Sequence, residues 1–227
     1  MLFDLRGRGR RRTVQVIYLS LAILMGGGLV LFGIGGATSG GLIDAIQGGS
    51  GGSTSGSDTF QKRVDALEKQ TTANPNNARA WAQLAGLRFQ LATTGANYDQ
   101  ATGQYTAKGK TELRAASDAW QRHLKLSPEK PDATVANQMV QAYGVAGLRN
   151  YSEAVKALEF VIDATPNATY QQYAQLAVLA HGAKQDRKAT LSAEKAVQLA
   201  PKAQRKTLRD QIKAAQQQLD SAPTTPQ

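Results

Sequence analysis

The chain has 227 residues and a formal net charge of +10, with 27 lysine and arginine residues against 17 acidic residues. It contains no cysteine and only two histidines, which excludes disulfides, thiol chemistry, thiolate metal sites and a lipoprotein anchor. We therefore expect no cofactor and no metal centre, and the mild basic excess favours acidic protein partners or an anionic membrane surface over nucleic acid.

A basic tail, residues 1–13, opens the chain and carries five arginines against the single acid Asp4. These arginines directly precede an apolar run, and arginine beside the first membrane segment holds that end of a protein in the cytoplasm. A basic arm that binds nucleic acid or lipid is the alternative interpretation, although arginines next to an apolar span are the usual topology signal. The residues assigned to membrane topology are Arg6, Arg8, Arg10, Arg11 and Arg12.

The apolar run predicts a single transmembrane helix over residues 14–36. Residues 14–34 carry no charged side chain, and at ~1.5 Å per residue they cover roughly the 30 Å hydrocarbon core of a bilayer. A cleaved secretory signal peptide is the alternative, with residues 35–37 as its cleavage site. Because the run exceeds the ~7–15 apolar residues of a signal-peptide core, we predict an uncleaved anchor. This places the N-terminus in the cytoplasm and the remainder outside it.

Small residues recur at a spacing of four within and just after this run, as Ala22 with Gly26 and Gly33 with Ala37. Such pairs permit two membrane helices to approach closely. A homo-oligomer that forms through the transmembrane helix is therefore one interpretation of the anchor.

Residues 37–58 form a predicted linker that is rich in glycine and serine. A chain of this composition behaves as a flexible coil with a root-mean-square reach of roughly 25 Å over about twenty residues. The linker would let a folded domain search the space beside the membrane without fixing its orientation.

From residue 59 to residue 220 the pattern is helical, and prolines mark the ends of four helices. Pro75, Pro128, Pro166 and Pro201 are separated by 53, 38 and 35 residues. Such near-regular spacing indicates an internal repeat. We therefore predict an all-α domain at 59–220.

Each of the last three prolines follows a similar pair of helical patterns. Ahead of each of the last three prolines, apolar or small residues recur at spacings of four and three, which makes one helix face. These sets are Ala116, Trp120 and His123; Ala154, Leu158 and Val161; and Ala189, Ala193 and Ala196. Upstream lie partner patterns with an aromatic residue and small residues, namely Trp81, Leu84 and Ala85; Met139, Val140 and Tyr143; and Tyr173, Leu176 and Ala177.

This combination resembles the tetratricopeptide repeat family over roughly residues 74–201. The resemblance implies an α-solenoid of about three helix pairs. A terminal helix over 204–219, apolar on one side only, would close its last open surface. The first repeat departs most, with an insertion at 93–110 and Arg88 where the family has a tyrosine. Residues 221–227 are predicted to be disordered.

The resemblance also implies a concave groove lined by the first helix of each pair. Its amides could hydrogen-bond a peptide backbone, its arginine could meet a carboxylate, and its phenylalanine could anchor an apolar side chain. The implied peptide-binding residues are Arg79, Phe89, Gln90, Asn137, Gln141, Gln171 and His181.

We expect a binding protein and not an enzyme, because neither His123 nor His181 has an acid at a spacing that would make a convincing catalytic pair. The favoured function is a membrane-tethered scaffold or adaptor that binds protein segments outside the cytoplasm of a bacterial cell. The alternative is a chaperone-like accessory that handles unfolded clients. Residues 67–85 resemble the repeat domains of c-type cytochrome maturation proteins, and the single-span architecture resembles translocon-associated proteins.

Overall fold

A computed structural model describes residues 56–126, 128 and 130–221. The predicted basic tail, the transmembrane helix, residues 37–55 of the linker and residues 222–227 lie outside the described residues. Among the described residues, no helix is both long enough and apolar enough to span a bilayer.

The described chain is almost entirely helical, which confirms the all-α prediction for this part of the protein. It contains eight α-helices, joined by two 3-10 turns and one short hairpin. The helices are α1 Gly56–Ala73, α2 Ala78–Ala92, α3 Ala107–Lys125, α4 Ala133–Tyr143, α5 Tyr151–Asp163, α6 Tyr170–Gly182, α7 Asp186–Leu199 and α8 Arg205–Ser221.

Four helices end just before the four prolines, as the sequence pattern predicted. Helices α1, α3, α5 and α7 each stop two or three residues before a proline of the repeat pattern, because proline cannot continue the hydrogen-bonded ladder. The next helix then begins at a side-chain cap in three of the four cases. Asn77 caps α2, Asp132 caps α4, and Thr169 with Gln172 forms a capping box at the start of α6.

Consecutive helices pack in pairs. The most extensive contacts join α2 with α3, α4 with α5, and α6 with α7; α1 packs on α2, and α8 packs on both α6 and α7. Alanines with no exposed surface lie in each of these three pairs, and a methyl side chain lets two helix backbones approach closely. They include Ala85, Ala116, Ala136, Ala154, Ala180 and Ala196.

Polar bridges join neighbouring pairs. The hydroxyls of Ser117 and Tyr143 lie 2.9 Å apart between α3 and α4. Gln121 donates to the carboxylate of Glu153 at 2.7 Å, from α3 to α5. Burial raises the pKa of Tyr143, so its hydroxyl stays protonated and available to the bridge.

The segment between α2 and α3 folds into a 3-10 turn, Gly95–Asn97, and a hairpin of β1 Tyr98–Asp99 with antiparallel β2 Gln104–Tyr105. Residues 107–110, the end of the predicted insertion, form the first turn of α3. Burial raises the pKa of Tyr105 to about 12. Tyr105 packs against the main hydrophobic core, which buried residues of α1 to α7 form. The base of the segment is therefore part of the folded domain.

Candidate peptide-binding surface

The first helices of the three pairs differ from the second helices in charge. Helices α4 and α6 contain no Asp, Glu, Lys or Arg, and α2 contains only Arg79 and Arg88. The second helices α3, α5 and α7 carry acidic and basic residues together. An uncharged helix face that is not buried suits a ligand recognised through hydrogen bonds rather than through charge.

On α4, Asn137 and Gln141 lie one helical turn apart, on the same face as Thr134. Both amide side chains are half-buried, and Thr134 is exposed. Val135, Met139 and Val140 of the same helix are buried, and so is the Oε1 atom of Gln138. The helix thus turns its apolar residues to the core and leaves Asn137 and Gln141 at the surface.

On α6 the same arrangement holds for Gln171, which is exposed, and Gln175, which is half-buried one turn later. On α2 the equivalent positions are Arg79 and Gln83, both exposed, and the half-buried Gln90. Gln83 and Gln175 were not predicted as site residues, although each lies four residues after one that was. That spacing is the signal that could have identified them.

Helices α2, α4 and α6 carry eight amides, of which Gln138 has a buried Oε1 and Gln172 caps α6. We call the other six the amide face: Gln83, Gln90, Asn137, Gln141, Gln171 and Gln175. None of them, nor Arg79, hydrogen-bonds another of the described residues through its side chain. Some amides elsewhere are engaged within the chain: Gln121 bonds Glu153 and Gln216 bonds the Ala177 carbonyl. The amide face therefore keeps its donors and acceptors free for water or a ligand.

Two residues that were predicted to line the groove, Phe89 and His181, are not free at the surface. Phe89 is only 4% exposed and belongs to the main core, so it presents no apolar anchor at the surface. His181 lies near the end of α6, where its Nε2 is 3.0 Å from both carboxylate oxygens of Asp220 on α8. The structure therefore gives His181 a partner within the chain.

The contact between α2 and α4 is close at Gly86. A methyl group built on Gly86 would lie 3.1 Å from Oε1 of Gln138 and 3.5 Å from Val135. That oxygen of Gln138 is buried and has no hydrogen-bond partner among the described residues. Gly86 thus brings the first two helices of the amide face together.

Arg88 has a structural role that the sequence did not reveal. Its guanidinium pairs with Glu68 of α1 and, at 2.6 Å, with Glu112 of α3. Burial lowers the pKa of Arg88, but the hydrogen bonds and charges of Glu112 and Glu68 outweigh that effect and raise it. An arginine within the otherwise uncharged stretch 80–92 was the available signal for such a pair.

His123 is the other unexpected polar residue in the core. It is 4% exposed, its Nδ1 lies 2.8 Å from the Ala78 carbonyl, and its ring lies 5.0 Å from that of Trp120. Because a carbonyl only accepts, Nδ1 donates to it. The bond ties α3 to the start of α2.

The contact of His181 with Asp220 predicts a pH effect on α8. The hydrogen bond from His181, helped by the Lys184 ammonium 3.5 Å away, holds the pKa of Asp220 below its ordinary value of 3.8. A carboxyl with a depressed pKa stabilises the fold above its unfolded pKa, and that contribution is lost as pH falls through the folded pKa. We expect faster hydrogen exchange of α8 amides, corrected for intrinsic rates, below pH 3.8.

Asp220→Asn should raise α8 exchange at neutral pH and remove this acid-dependent increment, while Asp210→Asn, on the same helix, should leave both unchanged. Equal exchange in Asp220→Asn and the parent chain at neutral pH would show that the contact does not hold α8 in place.

No group of three or more His, Cys, Asp or Glu residues that could hold a metal ion occurs among the described residues. The sequence matches no protein-family model and no curated protein.

Proposed function

We propose that this chain is a membrane-tethered adaptor whose helical domain binds extended protein segments along the amide face. The observation that carries the proposal is that six amide side chains on three consecutive first helices are accessible and free of partners within the described residues. Backbone N–H and C=O groups of an extended peptide offer the donors and acceptors that such amides need.

The proposed architecture is a solenoid of three tetratricopeptide-like pairs: α2 with α3, α4 with α5, and α6 with α7. Contacts within each pair, and the position of α8 against both helices of the last pair, support it. In a solenoid the first helices line one surface. Amides that recur on α2, α4 and α6 would then form one continuous binding surface.

The proposed tether is the apolar run 14–34, preceded by five arginines and followed by the Gly/Ser-rich linker. With this topology the domain faces the outside of the cell membrane and remains within reach of envelope proteins. Homo-oligomer formation through the small residues of the anchor is part of the same proposal.

A chaperone-like accessory is the second candidate, and the absence of charge on α4 and α6 favours it. Every unfolded chain presents the same backbone groups, so amides without charged neighbours would accept many sequences. A scaffold, in contrast, would bind one or a few partners. Translocon-associated function and cytochrome maturation both belong to this second candidate.

Photocrosslinking of the full-length chain in its native membrane tests the proposal. A photoreactive residue replaces Gln141 on α4, and the matched control replaces Gln198, an exposed glutamine on α7. Adducts that form from position 141 and not from position 198 are expected. One or two dominant partners would support the adaptor, and a broad ladder of secreted chains would support the client-handling role.

Equal adducts from both positions would contradict binding at the amide face. Asn137→Ala combined with Gln171→Ala provides a second measurement, because neither side chain hydrogen-bonds another described residue. The double variant should keep the helical spectrum and lose most of the adducts at position 141.

A further inference from the structure

Positive charge is concentrated in the last part of the domain. Residues 184–221 contain nine lysines and arginines against four acids. Of these, Lys188 bonds Glu159, Arg205 donates to two backbone carbonyls, and Lys184 lies near Asp220. Lys206, Arg209 and Lys213, the other cations of α8, have no such partners among the described residues.

Four of the cations form what we call the basic stripe: Lys202, Lys206, Arg209 and Lys213. The last three are spaced by three and four residues and share one side of α8, and Lys202 lies in the 3-10 turn Lys202–Gln204 just before it. All four are exposed, and none lies within 4.0 Å of a carboxylate oxygen of a described residue. Asp210 is the acid next to the stripe.

The apolar side of α8 is already occupied. Leu208 and Ile212 are buried against Ala177, Ala196 and Ala200 of the last pair. A membrane-surface helix that inserts needs a free apolar face. Because the apolar face of α8 is buried against the last pair, any contact of the stripe with a membrane would be peripheral and electrostatic.

We propose that the basic stripe docks on the anionic lipid surface of the membrane to which the domain is tethered. This inference rests on the proposed anchor, because a linker of roughly 25 Å reach keeps the stripe near the bilayer at high effective concentration. Each cation near an anionic bilayer strengthens binding about fivefold. Docked α8 would limit the orientations of the domain and hold it close to the membrane surface.

The test uses the full-length chain in vesicles, since its lack of cysteine allows one label at a chosen site. A fluorophore is attached through Gln217→Cys, at an exposed position of α8, and a control fluorophore through Ser152→Cys, at an exposed position of α5. Quenching by nitroxide headgroups is compared between phosphatidylcholine vesicles and vesicles that also contain phosphatidylglycerol. Stronger quenching of the α8 label alone, only in anionic vesicles and lost in concentrated salt, is expected.

Variants that neutralise the stripe test whether its charges cause the docking. Lys206→Gln, Arg209→Gln and Lys213→Gln together should weaken docking on the order of 100-fold, from about fivefold per cation. The matched control neutralises three exposed cations of α3: Lys110→Gln, Arg114→Gln and Lys125→Gln. The control should dock as the parent chain does, and both variants should keep the helical spectrum.

Equal quenching in the two lipids, or quenching that survives stripe neutralisation, would overturn the proposal. If lipid has no effect, and a photoreactive residue at position 217 crosslinks acidic polypeptides in the parent chain but not in the stripe variant, the stripe binds protein instead and the proposal is overturned.

Flotation with vesicles tests the proposed membrane anchor independently of the basic stripe. A chain that floats with neutral vesicles after a carbonate wash is anchored, and the quenching then decides the stripe alone. A chain that floats only with anionic vesicles, and only with its stripe intact, would overturn the anchor and support the stripe. Flotation with neither vesicle would overturn both.

Discussion

Trp120→Ala should cost about 3–5 kcal/mol of unfolding free energy, the loss typical of a large buried aromatic side chain. Trp120 is 1% exposed and is the largest of the fully buried side chains in the described part of the chain. Its ring lies 5.0 Å from that of His123 on α3 and meets Phe160 of α5 edge-on at 6.3 Å. Truncation would therefore open a cavity between the first and second helix pairs.

The other tryptophan provides the matched control. Trp81 is half-buried, and its ring N–H donates to the Pro75 carbonyl at 2.8 Å. Trp81→Ala should cost about 1–2 kcal/mol, from partial burial and one hydrogen bond. Urea unfolding of the full chain in detergent, followed by circular dichroism, compares the two variants. Similar losses would show that the interface between the pairs is not centred on Trp120.

The helices could be predicted because two strong local rules agree. Proline ends a helix, and a spacing of three and four marks its buried face. Ala154 and Leu158, predicted as one face of a second helix, are both buried on α5. The same holds for Ala116 and Trp120 on α3. Each of these predictions needed only residues within one helix.

Phe89 shows where that reasoning stops. The family resemblance implied that Phe89 lies on the exposed side of α2, where it would line the groove. The helix packs on α1, α3 and α4, and nine of its 15 residues are buried. A helix with neighbours on three sides leaves little surface free, and the number of neighbours depends on contacts that are distant in sequence.

Arg88 and His181 illustrate the same limit for polar groups. Glu68 and Glu112 lie 20 and 24 residues from Arg88, and Asp220 lies 39 residues from His181. Local periodicity carries no information about which distant acid will face a given base. The amides at Asn137 and Gln141 were easier to place, because neither depends on a partner in the described chain.

Gly109→Ala should destabilise the domain by about 3 kcal/mol, because the added methyl group meets backbone rather than a side chain that can rotate. Gly109 lies in the first turn of α3, and a built Cβ would be 2.1 Å from the Asn97 carbonyl oxygen and 3.3 Å from that of Ala92. Asn97 cannot retreat freely, since its amide side chain donates to the Leu91 carbonyl and its own carbonyl accepts from Thr106 N–H.

Gly86→Ala isolates the effect of that backbone contact. Gly86 is inside α2, where replacing glycine by alanine gains about 1 kcal/mol of helix propensity, and its nearest obstacle is the flexible Gln138 side chain at 3.1 Å. We expect this variant to stay within about 1 kcal/mol of the parent chain. Urea midpoints that fall for Gly109→Ala and not for Gly86→Ala would show that the 3-10 turn Gly95–Asn97 is locked against α3. An unchanged midpoint in Gly109→Ala would mean that the whole segment 93–106 yields without cost and is peripheral to the fold.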